Sequence, residues 1–444
     1  MAASPLAAVV PSGFEDRTRH KIAFHLLPFL FILYIVNYVD RTNLGFAAIG
    51  MERDLGFNDR VFGLGAGIFF ASYMALQVPG ALLVERWSAR RVISGCMIAW
   101  GILTVLTGLV QTPWHLYAAR LVLGAAEAPF FPGVIVYLSH WFQTTDRAKA
   151  TSNFMAAIPI SFVIGSPIAG WIISHHWLGV SGWRWLFVAE GIPAILLGVV
   201  TFFYLTDRPT EANWLGPEAR AWVEQNLRLE QGIGSKPMPA RQVLRSLPVL
   251  MLAAAYFMNN PPSYIFMFWF PTMLKRIADV SDLRLGLLGA LPFAACFLAM
   301  QVNGWHSDRQ RERNWHATLP LLIAVCGWIG LALGPQSLGS AMVFFTMVAL
   351  GMASISVFFS MPTEILSQSA AAAAVGIIST MGNISSFVSP YLFAYLKTRT
   401  GSFRAALWAV AVAALTGAIL TLFVPKGRES MHSRVATLAA QVGD

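Results

Sequence analysis

Apolar runs of membrane-spanning length alternate with short polar breaks along nearly the whole chain. At 1.5 Å rise per residue, about twenty apolar residues cross a bilayer core of about 30 Å. On that template the pattern predicts spans at about 24–47, 61–83, 92–110, 113–140, 151–174, 183–206, 247–274, 283–303, 316–335, 339–364, 371–396 and 403–424. Lipid offers backbone groups no hydrogen-bond partner, so these runs must be helices. A transmembrane barrel would instead show alternating segments of about ten residues, and none is visible. Breaks such as Gln111–Pro113 and Pro335–Gly339 are too short for anything but antiparallel neighbours. The longest polar interval, Thr206–Arg245, separates two sets of six spans. Within it, Glu218–Glu230 reads as a short amphipathic helix that links the halves. The expected organisation is an N-terminal segment 1–23, a bundle 24–206, a linker 207–246, a second bundle 247–424 and a tail 425–444.

Composition agrees with the pattern. Hydrophobic residues make up 56% of the chain and charged residues only 12%, against about 25% charged in soluble domains. The net charge of +9 could suggest nucleic acid, but the Lys and Arg residues lie in short loops between apolar runs. There they set orientation instead. The two termini and the even-numbered loops hold about twice as many as the opposite loops, so both termini are expected in the cytoplasm. Cys96, Cys296 and Cys326 all lie inside apolar runs and form no metal spacing or disulfide framework. The N-terminal stretch lacks a basic region ahead of an apolar core, so the first span is expected to act as an uncleaved signal. No Walker loop, metal cluster or nucleophile constellation is visible, which argues against an enzyme, a cofactor and direct ATP drive.

The two sets of spans echo each other. After span 2 the chain reads Glu85-Arg86, then Arg90-Arg91. After span 8 it reads Gly304-Trp-His-Ser-Asp308-Arg309, then Arg311 and Arg313. Glu85 and Asp308 are separated by the same distance as Pro167 of span 5 and Pro390 of span 11, about half the chain. A duplicated six-plus-six transporter follows.

With these motifs the chain resembles the major facilitator superfamily. That resemblance implies an all-α integral membrane fold of twelve transmembrane helices in two pseudo-symmetric six-helix bundles. The loop signature Gly-x-x-x-Asp-Arg is well formed at Gly304, Asp308 and Arg309. In the first copy Ala81 stands at the usual Gly, Glu85 at the Asp and Ser88 at a second Gly. The resemblance implies a gating role for Glu85, Arg86, Gly304, Asp308 and Arg309. Within the superfamily the chain is similar to the anion:cation symporters, carriers of tartrate, phthalate, galactonate and other organic acids. Four segments carry this: Asn37-Tyr-Val-Asp40-Arg41; Arg120-x6-Glu127-Ala-Pro129; Trp183-Arg-Trp185 with Glu190-Gly191; and Asp207-Arg-Pro209 with Ala212-Asn-Trp-Leu215.

Charges at membrane depth cost at least about 2.5–3.5 kcal/mol each, so Asp40, Arg41, Arg120 and Glu127 need a purpose. Arg120 and Glu127 lie seven residues apart on span 4 and share a face. Asp40 and Arg41 are adjacent, so their side chains point about 100° apart. An arginine matches a carboxylate with paired hydrogen bonds, which makes Arg41 and Arg120 candidate anion ligands. Asp40 and Glu127 are candidate proton carriers, and the resemblance implies the same assignment. The plainer reading is a set of static ion pairs joining spans 1 and 4. Span 10, the counterpart of span 4, reads Val357-Phe-Phe-Ser360-Met-Pro-Thr363-Glu364 and has no arginine. The second half offers amide, hydroxyl and aromatic groups instead: Asn259, Asn260, Tyr264, Trp269, Ser360 and Asn383. By resemblance, Tyr38, Tyr73 and Asn383 line the substrate cavity; Tyr264, Trp269 and Ser360 are further candidate contacts by residue type, with helix packing the plainer reading for the aromatics. Glu190 and Arg184 are expected to cap or pair at a helix end, and Gly165-Ser-Pro167-x-x-Gly170 to supply close helix packing.

The expected function is import of a small organic anion coupled to protons by alternating access, by a protein acting as a monomer in the plasma membrane (the inner membrane in a bacterium). Its partners are the anion, protons and the bilayer. Efflux of amphipathic compounds by antiport and a non-translocating membrane receptor are the rival readings.

Overall fold

The computed structural model describes residues 13–233, 243, 245–366 and 368–425. Among these the chain makes twelve crossings. Span 1 is Phe14–Leu55, span 2 Asp59–Arg86 and span 3 Ala89–Thr107. Span 4 is Pro113–Glu127 continued by Phe130–Ser139, and span 5 is Thr144–Met155 continued by Ala157–Ile173. Span 6 is Gly182–Tyr204, span 7 Leu247–Ile277, span 8 Asp282–Gln310 and span 9 Asn314–Leu333. Span 10 runs Leu338–Ile365 with a tighter turn at Gly351–Ser354, span 11 is Gln368–Thr400 and span 12 Phe403–Leu422. The fold is all-helical, as expected. Several spans overrun their predicted ends, span 1 by about two to three turns each way, because helices continue past the lipid into water.

Nine of the described spans are long and apolar enough to cross a membrane by themselves. Spans 5, 7 and 11 are not among them. Span 5 is interrupted at Ala156. Span 7 carries Asn259, Asn260 and, past its first turn, three prolines, and it buries Asn260, Pro262 and Trp269 against other helices. Neighbouring helices, rather than lipid, surround such residues.

Within the first half, span 3 packs along span 6, and span 1 along spans 5 and 6. Within the second half, span 9 packs along span 12, and span 7 along spans 11 and 12. Two long crossings join the halves, span 2 on span 11 and span 5 on span 8. They are equivalent under the half-chain repeat, since span 2 corresponds to span 8 and span 5 to span 11. Glycine makes both possible. A Cβ at Gly67 would lie 2.4 Å from the Phe387 carbonyl oxygen, and one at Gly63 would lie 2.7 Å from that of Pro390. A Cβ at Gly286 would lie 2.3 Å from the Ser166 carbonyl oxygen, and one at Gly170 2.7 Å from Gly286 Cα. The Gly165–Gly170 segment therefore does supply close packing. Pro271 cannot donate to the Met267 carbonyl, and a Cβ at Gly45 of span 1 would stand 3.1 Å from that oxygen.

These crossings close the molecule at the mouth opposite the termini. Asp59 of span 2 pairs with Lys397 of span 11 and lies 3.9 Å from Arg276 of span 7. Arg276 also reaches Glu52 of span 1 at 4.0 Å. Beneath them Phe62 meets Trp269 edge-on at 5.1 Å. At the other end the ion pairs Arg19–Asp146, Arg90–Asp207, Arg313–Asp308 and Arg313–Glu364 each stay within one half. The linker helix Pro217–Ile233 docks on the first half, where Arg19 lies 5.6 Å from the Trp222 ring.

Gly286→Val should keep the closed mouth from forming. In a background lacking Cys96, Cys296 and Cys326, a cysteine at buried Thr272 should then react with a soluble maleimide several-fold faster than without the valine. Equal rates would show that the crossing of spans 5 and 8 does not need this glycine.

Candidate functional site

The intramembrane charges gather where spans 1, 2 and 4 meet, and the helical offset between neighbours sends them along two faces of span 1. Tyr34, Tyr38 and Arg41 follow one stripe, and Asn37, Asp40 and Asn43 follow another. On the first stripe, Arg41 donates from Nε and Nη2 to one oxygen of Glu127, Oε2, at 2.9 and 2.8 Å. The other oxygen, Oε1, has no donor. Both side chains are buried, Arg41 at 7% and Glu127 at 0% exposure. The Arg41 guanidinium lies 4.9 Å from the Tyr73 ring, 5.1 Å from Tyr38 and 5.6 Å from Phe69. Three aromatic faces thus hold the cation, an arrangement favourable by about 0.5–2 kcal/mol per contact.

On the second stripe, Asp40 is buried and accepts a hydrogen bond from Asn43 at 2.9 Å. Arg120 is as deeply buried, at 1% exposure. It donates to the Gly65 carbonyl at 3.3 Å and lies 4.7 Å from the Phe69 ring, while its Nη2 has no partner. Span 2 comes this close because a Cβ at Gly124 would sit 2.1 Å from the Phe69 carbonyl oxygen. The two arginines do not form an open pair. Phe69 contacts both, and Arg120 is sealed away with Asp40 in its field.

The remaining expected contacts divide. Tyr264 of span 7 is half-buried, meets Phe70 edge-on at 4.7 Å and acts electrostatically on Arg41 across the halves. Asn383 of span 11 donates to Gln77 of span 2 at 2.8 Å, so it bridges the halves one turn from Tyr73. Trp269 lies away from the cluster, in the closed mouth between Phe62 and Phe393. Ser360 donates to the Val357 carbonyl of its own helix at 2.7 Å. Glu85, Arg86, Asp308 and Arg309 are exposed at the end carrying the termini, and Gly304 is half-buried there. Loop 2–3 is anchored through Ser88, which donates to Asp207 at 2.6 Å. In loop 8–9, Arg313 joins Asp308 at 2.6 Å to Glu364 at 2.7 Å. Burial pushes the Glu312 carboxyl up, but hydrogen bonds from Trp315 and His316 outweigh it and hold the group below its ordinary value.

Arg184 caps the end of span 3, donating to the carbonyls of Gly108 at 2.6 Å and Val110 at 3.1 Å. Glu190 does not cap a helix end. It lies two turns inside span 6, 6% exposed, and both its oxygens lack a donor. From sequence, Asn37 has a place in a motif but no role, and Asn43 and Gln77 have neither. The three-residue spacing Asn37-x-x-Asp40-x-x-Asn43 was the available signal for the first two.

Twelve crossings in two repeated halves, closed at one mouth around a buried charged cluster, define a membrane transporter rather than an enzyme. The Major Facilitator Superfamily pattern matches residues 30–390, and the chain belongs to that superfamily. It is 41% identical to a putative tartrate transporter of Agrobacterium vitis, over 96% of each chain. It is 37% identical to the putative metabolite transport protein NicT of Pseudomonas putida, over 94% of this chain and 98% of that one. Its fold matches an inward-facing bacterial homologue of the human lysosomal transporter Spinster, with a TM-score of 0.74 and 19% identity, covering 90% and 96% of the two chains.

Arg41→Ala should lower the melting temperature of the purified protein, since stranding one member of a buried pair costs about 3–5 kcal/mol. Adding Glu127→Gln to Arg41→Ala should recover part of the loss. A double variant that melts no higher than Arg41→Ala would show that the two groups are not energetically coupled.

Proposed function

We propose that this protein imports a small organic anion together with protons, by alternating access between its two halves. One observation carries the reading: the buried Arg41–Glu127 pair, in which a cation suited to a carboxylate is already occupied by a protonatable carboxylate. Arg41 cannot give its Nε and Nη2 to a substrate while Glu127 holds them. A proton on Glu127, accepted at the undonated Oε1, cancels the attraction and releases the guanidinium. The incoming carboxylate takes the vacated position among Tyr38, Tyr73 and Tyr264. Electrostatics favours the exchange in this order, since Asp40, Arg41, Arg120 and Glu127 balance when ionised. One proton for each negative charge on the substrate keeps that balance, whereas either alone leaves a net charge in a low-dielectric site.

Arg41 is the principal anion ligand in this scheme. Arg120, enclosed by Gly65 and Phe69, balances Asp40 and becomes available only if Phe69 moves. Asn383 and Gln77 read the far end of the substrate, where a hydroxyl would meet two amides. The excess of Lys and Arg at the end bearing the termini supports a cytoplasmic location for that end. On that reading the closed mouth faces outward and the protein is in an inward-facing state. Outward opening requires Asp59 to part from Lys397 and Arg276, while the loop-signature residues Glu85, Arg86, Gly304, Asp308 and Arg309 approach one another across the cytoplasmic mouth. The names of the relatives, a tartrate and a metabolite carrier, support an organic-acid substrate.

In proteoliposomes with a proton gradient of either orientation, Glu127→Gln should abolish uphill accumulation of tartrate or a related hydroxy acid while retaining counterflow of labelled substrate. Full gradient-driven accumulation in this variant would remove Glu127 from coupling. Arg41→Ala should weaken anion binding at least about tenfold, or 1.4 kcal/mol, and unchanged affinity would remove Arg41 from the site. Accumulation under an outward-directed gradient alone would point to export by antiport instead.

A further inference from the structure

Four of the five carboxylates and arginines at the core of the first half have a counter-charge. The fifth does not. Glu190 is buried among spans 1, 3 and 6, and neither of its oxygens receives a hydrogen bond. Close packing of spans 3 and 6 keeps it there: a Cβ at the next residue, Gly191, would lie 2.5 Å from the Gly101 carbonyl oxygen. Arg184, on the same helix, is spent on the carbonyls of Gly108 and Val110. Beside Glu190 lies Asn43 of span 1. Its amide nitrogen is donated to Asp40 at 2.9 Å, and its amide oxygen, also buried, has no donor. Two acceptors without donors therefore lie on neighbouring side chains: the Glu190 carboxyl and the Asn43 amide oxygen. A single proton on Glu190 satisfies both, because the carboxyl then donates to Asn43 Oδ1. The same proton removes the cost of an unpaired buried carboxylate.

We propose that Glu190 is a second proton-binding site of this transporter, sharing one proton with Asp40 through the Asn43 amide. The amide is polar end to end. With Glu190 protonated, the amide N–H stays on the ionised Asp40 and its C=O accepts from the Glu190 carboxyl, so Asp40 and Glu190 are not both ionised in the stable arrangement. If the proton moves to Asp40, the amide turns over and the roles reverse. The proton passes between the two carboxyls by way of water; the amide selects which of them holds it. Asp40 on span 1 is the charged group that acts on Glu190 from the helices packed against span 6. Among the described residues, spans 3 and 5 set no charged group against it. Arg120 and Glu127 act on the pair through Asp40. This inference builds on the proton-coupled reading above and adds a second site to it, on the side of span 1 away from Arg41.

The test uses the purified full chain without substrate, so it does not depend on whether the protein imports or exports. Infrared difference spectra of the wild type should show a protonated-carboxyl C=O band that persists above neutral pH. Glu190→Gln, an isosteric neutral change, should remove that band, whereas Glu127→Gln should leave it. Asn43→Ala should shift its frequency, because the amide acceptor is lost. In counterflow, wild-type activity should fall at alkaline pH, where the pair loses its shared proton and becomes doubly ionised. Glu190→Gln cannot ionise there, so its alkaline limb should vanish or move up by more than about one pH unit. A band unaffected by Glu190→Gln, or an alkaline limb that superimposes on the wild type, would overturn the proposal. A structural role alone would lower the melting temperature without moving either readout.

Discussion

The arrangement depends on burying charge in a membrane protein without stranding it. Glu127 and Arg41 solve this by direct pairing, with two donors on one carboxylate oxygen and three aromatic rings around the guanidinium. Most of the local architecture follows from that. Span 2 must approach span 4 closely enough to bring Phe69 and Tyr73 to the cation, and Gly124 is the position that permits it. Arg120 needs a partner at the same depth and finds the Gly65 carbonyl. Asp40, pointed away by the helix, relies on an amide one turn further on.

The charged cluster belongs wholly to the first half, while the second half contributes Tyr264 and Asn383 from across the interface. A pseudo-symmetric frame therefore carries an asymmetric site. The symmetry is kept where mechanics requires it, in the paired crossings of spans 2 and 11 and of spans 5 and 8. There glycines on one helix meet backbone carbonyls or glycines on the other. It is abandoned at the centre, where one set of charges suffices and a second would add desolvation cost.

The closed mouth illustrates a different balance. Arg276 reaches solvent, where an individual ion pair contributes little, and Asp59 is half-buried, whereas Lys397 is buried at 5% exposure. Their pairing is the kind that can be exchanged for water when the halves rock apart. The Phe62–Trp269 contact beneath them excludes water instead. Pairs that water can reach from one side, over a dry plug, suit a closure that has to be reversible.

Sequence alone was enough for the helices, their number, the repeat and the depth of the four charges, because lipid imposes a length and a polarity on every span. It also showed that Asp40 and Arg41 diverge and that Arg120 and Glu127 share a face, since both follow from helical pitch. It did not show which cation meets which anion. The pairing of Arg41 with Glu127, the sealing of Arg120 behind Phe69 and the placement of Trp269 in the mouth all depend on distances between spans far apart in sequence. Glu190 was misread for the same reason. Near the start of a span it looked like an end-capping group, and only the packing of span 6 on spans 1 and 3 shows it buried beside Asn43 with no cation in reach. Periodicity settles where a residue sits on its own helix; the crossing of helices settles what it faces.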